Sequence, residues 1–209
     1  MNGGISMKLL EAIKQKGGRI EIPDCSRHEL PQFFVDMGLT KGAEIGVENG
    51  YFSEELCRAG LEVYSIDPWI HCPEWKYQRT QEKMEQIYEK AKAKLSKYPK
   101  CHIVRKFSMD ALKDFENESL DFVYIDGNHE FGYVAEDIYE WEKKVRKGGI
   151  VSGHDYFTPR KRDVCSVTPI LHAYVSWFDI KTWYVLGNRR KRTLDEVREA
   201  TRSWFWIKE

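Results

Sequence analysis

The chain has 209 residues, 42% of them hydrophobic, enough to bury a substantial core without metal or disulfide staples, and this predicts one domain over 1–209. Its 33 Lys plus Arg balance 33 Asp plus Glu, so nothing in the overall charge points to nucleic acid or to a membrane surface. Five scattered cysteines without a C-x-x-C pair exclude a zinc knuckle or disulfide framework and favour a reducing compartment.

The N-terminal "MNGGISMKLLEAIKQKGG" is too charged and its apolar part too short for a signal peptide. No run approaches the roughly 18 apolar residues of a membrane span, so the expected location is cytoplasmic. Residues 7–16 carry a short helical pattern and "RHELPQFFVDMGL" a second helix or turn. The segment 1–41 therefore reads as an N-terminal helical extension, a lid or packing element. "GAEIGVENGYFSEELCRAG" reads as a buried strand, a glycine turn and a helix with Ser53, Glu54 and Glu55 in its first turn. "LEVYSIDPW" is a β-rich run stopped by Asp67 and Pro68, and a strand-helix-strand crossover of this length predicts parallel pairing.

Residues 80–98 form a long charged helix with Met84, Ile87, Ala91 and Leu95 along one stripe. "HIVRKF" follows as strand, "MDALKDF" as short helix and "SLDFVYID" as an apolar strand of the central type. "YVAEDIYEWEKKVRK" is helical and is expected to end at Gly148 and Gly149, before the strand "GIVSGHDY". Over 157–209 the alternation stops. "VTPILHAYVSWF" predicts a helix, and "KTWYVLG" and "RSWFWIK" predict an antiparallel strand pair at the sheet edge that could pack in the core or form a dimer face; "NRRKRTLDEVREAT" between them is too polar for core.

In open α/β sheets ligands bind beyond the carboxyl ends of the strands. Those ends here are "EIGVENG", Asp67, "SMDA", Asp126 to His129, and His154 with Asp155; all five present a carboxylate. The G-x-x-x-G turn at Gly46 and Gly50 lets backbone approach a ligand and aims a helix N-terminus at it, or is simply a tight strand-to-helix turn. Asp67 follows Gly46 by 21 residues, the separation at which an acid accepts hydrogen bonds from ribose hydroxyls. Together these favour a nucleoside-bearing cofactor. Glu44 at the first strand's end would repel a pyrophosphate, so a cofactor with a cationic amino-acid tail suits the turn better.

The stretches "AEIGVENGYFSEEL", "VYSIDPW" and "LDFVYIDGNHEFGYVAEDIYEWEKKVRKGGIVSGHDY" resemble the class I S-adenosylmethionine-dependent methyltransferases, in particular the sugar and catechol O-methyltransferase-like branch with the "IDG-x-H … GG … HDY" signature. The resemblance covers about residues 42–156, the expected cofactor-binding core. It implies an α/β fold with a doubly wound, Rossmann-like, seven-stranded, mostly parallel sheet and a reversed C-terminal strand. It also implies that Glu44, Gly46 and Gly50 cradle the methionine part of S-adenosylmethionine, that Asp67 holds its ribose, and that Ser108, Met109 and Asp110 border its adenine. Metal-dependent relatives bind magnesium through the acid after the fourth strand and an acidic pair after the fifth, here Asp126, His154 and Asp155. The "HD" in place of two oxygen ligands departs from that pattern and admits manganese or another imidazole-tolerant ion.

Methyl transfer to a hydroxyl requires loss of the hydroxyl proton, and His129 is the candidate base, with Asp126 to orient it or to hold a metal; as a structural alternative, His129 caps the following helix. From Tyr156 onward 11 basic residues face 6 acidic ones, and Arg160, Lys161 and Arg162 follow "HDY" directly, which suggests a small acceptor bearing phosphate or carboxylate. In "WIHCPEW", Trp69, His71 and Trp75 either wall the substrate or fold onto the core. Two other functions remain open on the residues alone: an NAD(P)-dependent oxidoreductase, or a non-catalytic nucleotide- or nucleic-acid-binding module. Self-association also remains open.

Overall fold

The sequence "LDFVYI" becomes β5, Leu120–Ile125, the central strand of a computed structural model that describes residues 3–75, 79–158, 165–188 and 196–209. Alternation across the pleat sends Val123 and Ile125 to one face and Phe122 and Tyr124 to the other, and all four are buried. A strand apolar on both faces needs cover on both. Helices α2, Leu30–Asp36, and α3, Tyr51–Arg58, bring Phe33, Phe34, Phe52 and Leu56 onto the Phe122 face. Helices α6, Phe131–Lys144, and α7, Val167–Trp177, bring Ile138, Trp141, Ile170 and Leu171 onto the Val123 face.

The parallel strands β2, Lys41–Ile45, β3, Glu62–Ile66, β4, Cys101–Val104, β5 and β6, Val145–Tyr156, lie in the order β4-β3-β2-β5-β6. The winding direction reverses between β2 and β5, which opens a crevice beyond their carboxyl ends. Helix α4, Gln81–Leu95, starts at Thr80, whose hydroxyl accepts from the Lys83 N–H at 3.3 Å. Of the expected stripe Ile87, Ala91 and Leu95 are buried and Met84 is half-buried, and the helix packs on Val47 and Trp69 beside that crevice. Helix α5, Ser108–Ala111, follows β4.

The sheet has eight strands rather than seven. Besides α1, Gly3–Ala12, the N-terminal segment contains a strand, β1, Gly18–Ile22, parallel to β7, Thr182–Leu186, at the sheet edge. Its sequence "GRIEI" gives little apolar signal because an edge strand buries little, and Ile22 is the only buried residue in it. Strand β8, Arg202–Ile207, runs antiparallel to both β6 and β7 and lies between them. One strand is therefore reversed and the pair is interior, so Trp204, Phe205 and Trp206 belong to the core.

Helix α6 stops at Lys144, short of the two glycines, because Val145 turns to an extended conformation and is buried in pairing with Leu120. Gly149 then lies inside β6, where a Cβ would run into the Asp121 carbonyl. Among the described residues no helix is long and apolar enough to cross a membrane.

Candidate active site

The turn after β2 is held from both sides of the crevice. The Gly46 N–H donates to the Ile66 carbonyl at 2.9 Å and the Asp126 N–H to the Ile45 carbonyl at 2.7 Å. Gly46 has φ 87°, and a Cβ there would collide with the Asp126 carbonyl oxygen. Only glycine lets the ends of β2 and β5 come this close. The buried Asp67 carboxylate accepts from the backbone N–H groups of Val47 at 3.1 Å, Glu48 at 2.9 Å and Trp69 at 2.7 Å. Burial raises its pKa against those three bonds. Asp67 thus stitches the turn to the next strand's end, a task that its sequence position did not disclose.

Glu44 is 2% exposed and accepts from the Ser53 hydroxyl, which contacts Ser65 Oγ at 2.6 Å. Ser53 therefore turns inward to Glu44 instead of capping α3, whose N-cap is Gly50. Burial pushes the Glu44 carboxyl up to about 8, opposed by the Ser53 hydrogen bond.

Beyond β5 and β6, Asp126, His129, His154 and Asp155 converge. His129 Nε2 is 2.8 Å from Asp155 Oδ2 and 3.7 Å from Asp126 Oδ1. His154 Nδ1 is 3.5 Å from Asp155 Oδ2 and 3.6 Å from Asp126 Oδ1. Asp155 reaches the cluster from a left-handed conformation, φ 58°, at a register break between β6 and β8, the kind of backbone strain that collects at functional sites. Although Asp155 lies within hydrogen-bonding distance of His129 Nε2, its oxygen is off the line that the ring nitrogen requires, so this buried atom has no aligned partner. Ligand atoms of Asp126, His154 and Asp155 all lie within 4.8 Å of one another. A mixed nitrogen and oxygen donor set of this kind fits manganese better than magnesium.

A cavity of about 920 Å³ joins the turn to this cluster. It is lined by Glu44, Gly46, Asp67, Ser108, Met109, Asp126, His129 and Asp155. Gly50, Asp110 and His154 are not in the lining. Gly50 faces Leu95 of α4, the Asp110 carboxylate pairs with Lys113 at 2.7 Å, and His154 reaches the cluster from behind. Trp75 lines the cavity with Phe107 and Tyr133 edge-on at 6.3 and 6.1 Å. Trp69, by contrast, is fully buried against Tyr88, and His71 ties its loop to the Arg79 carbonyl at 2.8 Å. Arg160, Lys161 and Arg162 lie outside the described residues.

Sequence reasoning missed Arg27, whose guanidinium enters the cavity from the N-terminal segment, and Asp137 on α6. Asp137 accepts from Ser108, which itself accepts from the Trp141 indole at 2.7 Å. Burial pushes Asp137 up to about 7.

Burial opposes charging His129, but Asp126 and Asp155 outweigh it and raise the imidazole to about 10; the same balance raises His154 to about 9. Burial also opposes the Asp155 charge, and the two imidazoles outweigh it, holding Asp155 well below the usual carboxylate range. Each imidazole's contribution to stability is present below its ordinary 6.5 and is lost as pH rises through about 10 for His129 and about 9 for His154. Glu44 and Asp137 act in the same direction, because ionising a buried acid opposes folding. The midpoint of thermal unfolding without metal or ligand is therefore expected to fall steadily from pH 6.5 upward, with a shallower slope in His129→Gln. A rising midpoint over that interval in the native chain would contradict the assignment.

The sheet order and the cavity at its switch point define the α/β Rossmann-like methyltransferase fold. Solved structures with this fold include an O-methyltransferase from Bacillus cereus in complex with SAH, with TM-score 0.58 and 14% identity over 97% of this chain and 89% of that one. An rRNA methylase from Streptococcus thermophilus aligns with TM-score 0.58 and 14% identity over 86% of this chain and 93% of that one. The O-methyltransferase TomG from Streptomyces achromogenes, solved with SAM, aligns with TM-score 0.57 and 14% identity over 88% and 79%. An uncharacterized protein from Sinorhizobium fredii is 26% identical over 119 residues, a match that spans 54% of this chain but 12% of that protein. A family model described as a methyltransferase domain matches residues 43–156, more than half of the chain, and the chain belongs to that family. This membership sets aside the nicotinamide oxidoreductase alternative.

Proposed function

We propose that this chain transfers a methyl group from S-adenosylmethionine to a hydroxyl of a small molecule, a sugar or a nucleotide-linked sugar, in the reducing cytoplasm. The observation that carries the reading is the single cavity linking the Gly46 and Asp67 turn to the Asp126, His129 and Asp155 cluster. Its acidic turn suits a cofactor with a cationic tail, and its aromatic lining of Trp75, Phe107 and Tyr133 suits a flat base. Glu44 and Gly46 would cradle the methionine part, Asp67 would hold the turn and face the ribose, and Ser108 with Met109 would border the adenine. When bound, the cofactor supplies an electrophilic methyl on a sulfonium.

Asp126, His154 and Asp155 would hold a divalent cation, which would acidify an acceptor hydroxyl. With both acids free, His129 is protonated at neutral pH and cannot act as a base. Neutralising Asp126 and Asp155 removes what keeps it charged, so its service as a base is coupled to occupancy of the acids. The remaining work of the chain is to align methyl and oxygen and to exclude water.

Isothermal titration with S-adenosylhomocysteine, with and without MnCl2, tests the reading. Micromolar binding is expected; no binding under either condition would sink the cofactor assignment. Turnover of hydroxylated sugars in the presence of manganese tests the acceptor class.

A further inference from the structure

The segment before α2 brings a guanidinium into a cavity otherwise rich in carboxylates. Ser26 and Glu29 form a capping box that starts a 3-10 turn, Arg27–Glu29. The Ser26 hydroxyl accepts from the His28 N–H at 3.2 Å, which holds the turn that carries Arg27. Its guanidinium lies over the Phe52 ring at 5.7 Å and reaches Asp126 Oδ2 at 3.4 Å. Arg27 is the sole lysine or arginine among the described residues lining the cavity.

We propose that Arg27 is the resident counter-ion of Asp126, filling the charge role that a divalent cation would take there and thereby setting how weakly that cation binds. The inference rests on the metal reading above. Asp126 contacts three cationic or protonatable groups, Arg27, His129 and His154. A guanidinium keeps its charge at any physiological pH. A cation that takes Asp126 must therefore either displace Arg27 or tolerate it at short range, and both weaken binding. An alternative role, in which Arg27 orients Asp126 for the metal, predicts the opposite sign.

The test is titration of MnCl2 into the full chain at fixed pH, by calorimetry and by the loss of the free Mn2+ electron paramagnetic resonance signal. Thermal melts of every variant check folding. Arg27→Gln and Arg27→Met, the latter retaining the stem over Phe52, are expected to bind Mn2+ about tenfold or more tighter than the native chain. Arg27→Lys, which keeps the charge, should stay within about threefold of native. Adding Asp155→Asn to Arg27→Gln should abolish the gain. Tighter binding that appears only in the neutral variants, even from a native chain with none detectable, supports the proposal. Native binding that the neutral variants match or weaken overturns this proposal alone, while absence of Mn2+ binding in every variant overturns the metal reading with it.

Discussion

Asp67→Ala is expected to lower affinity for S-adenosylhomocysteine about 100-fold or more and to cost about 3 kcal/mol of stability. Both effects have one origin. The carboxylate accepts from the backbone N–H groups of Val47, Glu48 and Trp69, and alanine leaves these donors without their acceptor in a buried turn. Hydrogen bonds to a charged group each contribute about 1.5–3 kcal/mol, partly offset here by no longer burying the carboxylate. Glu48 is already held at φ 48°, so the released turn is free to relax out of the conformation that aims α3 at the cavity. Asp67→Asn keeps the shape and an accepting oxygen and should fall between the native chain and the alanine variant. Calorimetric titration and chemical denaturation measure the two effects separately. Near-native affinity in Asp67→Ala would remove Asp67 from the cofactor site.

Asp126→Asn is expected to reduce methyl transfer by about 10²- to 10⁴-fold, the range associated with losing a positioned acid or base, while S-adenosylhomocysteine binding changes only a few-fold. The Asp126 backbone is fixed by its bond to Ile45 at 2.7 Å, and the amide fills the same volume, so the crevice should keep its shape. What changes is charge. Arg27, His129 and His154 lose a shared partner, and the proposed cation would lose one of its two carboxylate ligands. Mn2+ affinity should fall in parallel, by about 100-fold, at the upper end of the range for perturbing a metal site. Initial rates on an acceptor turned over by the native chain, together with both titrations, separate these effects. Full activity in Asp126→Asn would remove the residue from the chemistry.

The fold was legible in the sequence wherever local pattern and burial coincide. β5 is apolar on both faces and α4 carries its stripe at helical spacing, so both were readable from one segment. β1 was not, because an edge strand with charged residues at alternate positions has little apolar signal. The end of α6 was misplaced because pairing of Val145 with Leu120 overrides the two glycines as a stop signal.

By itself the sequence determined which residues gather at one edge of the sheet, since parallel strands bring all their carboxyl ends there and a list of strand ends is then a list of neighbours. Asp126, His154 and Asp155 meet for that reason. Only the tertiary structure decided that Arg27 pairs with Asp126 across 99 residues and that Asp67 is occupied with the turn. It also decided that Asp110 and Gly50 lie off the cavity lining and that Asp126 and Asp155 raise the His129 imidazole against its burial. Spacing along the chain records which side chains share a strand or a helix face, whereas distant contacts and protonation depend on packing and on the charges that packing brings together.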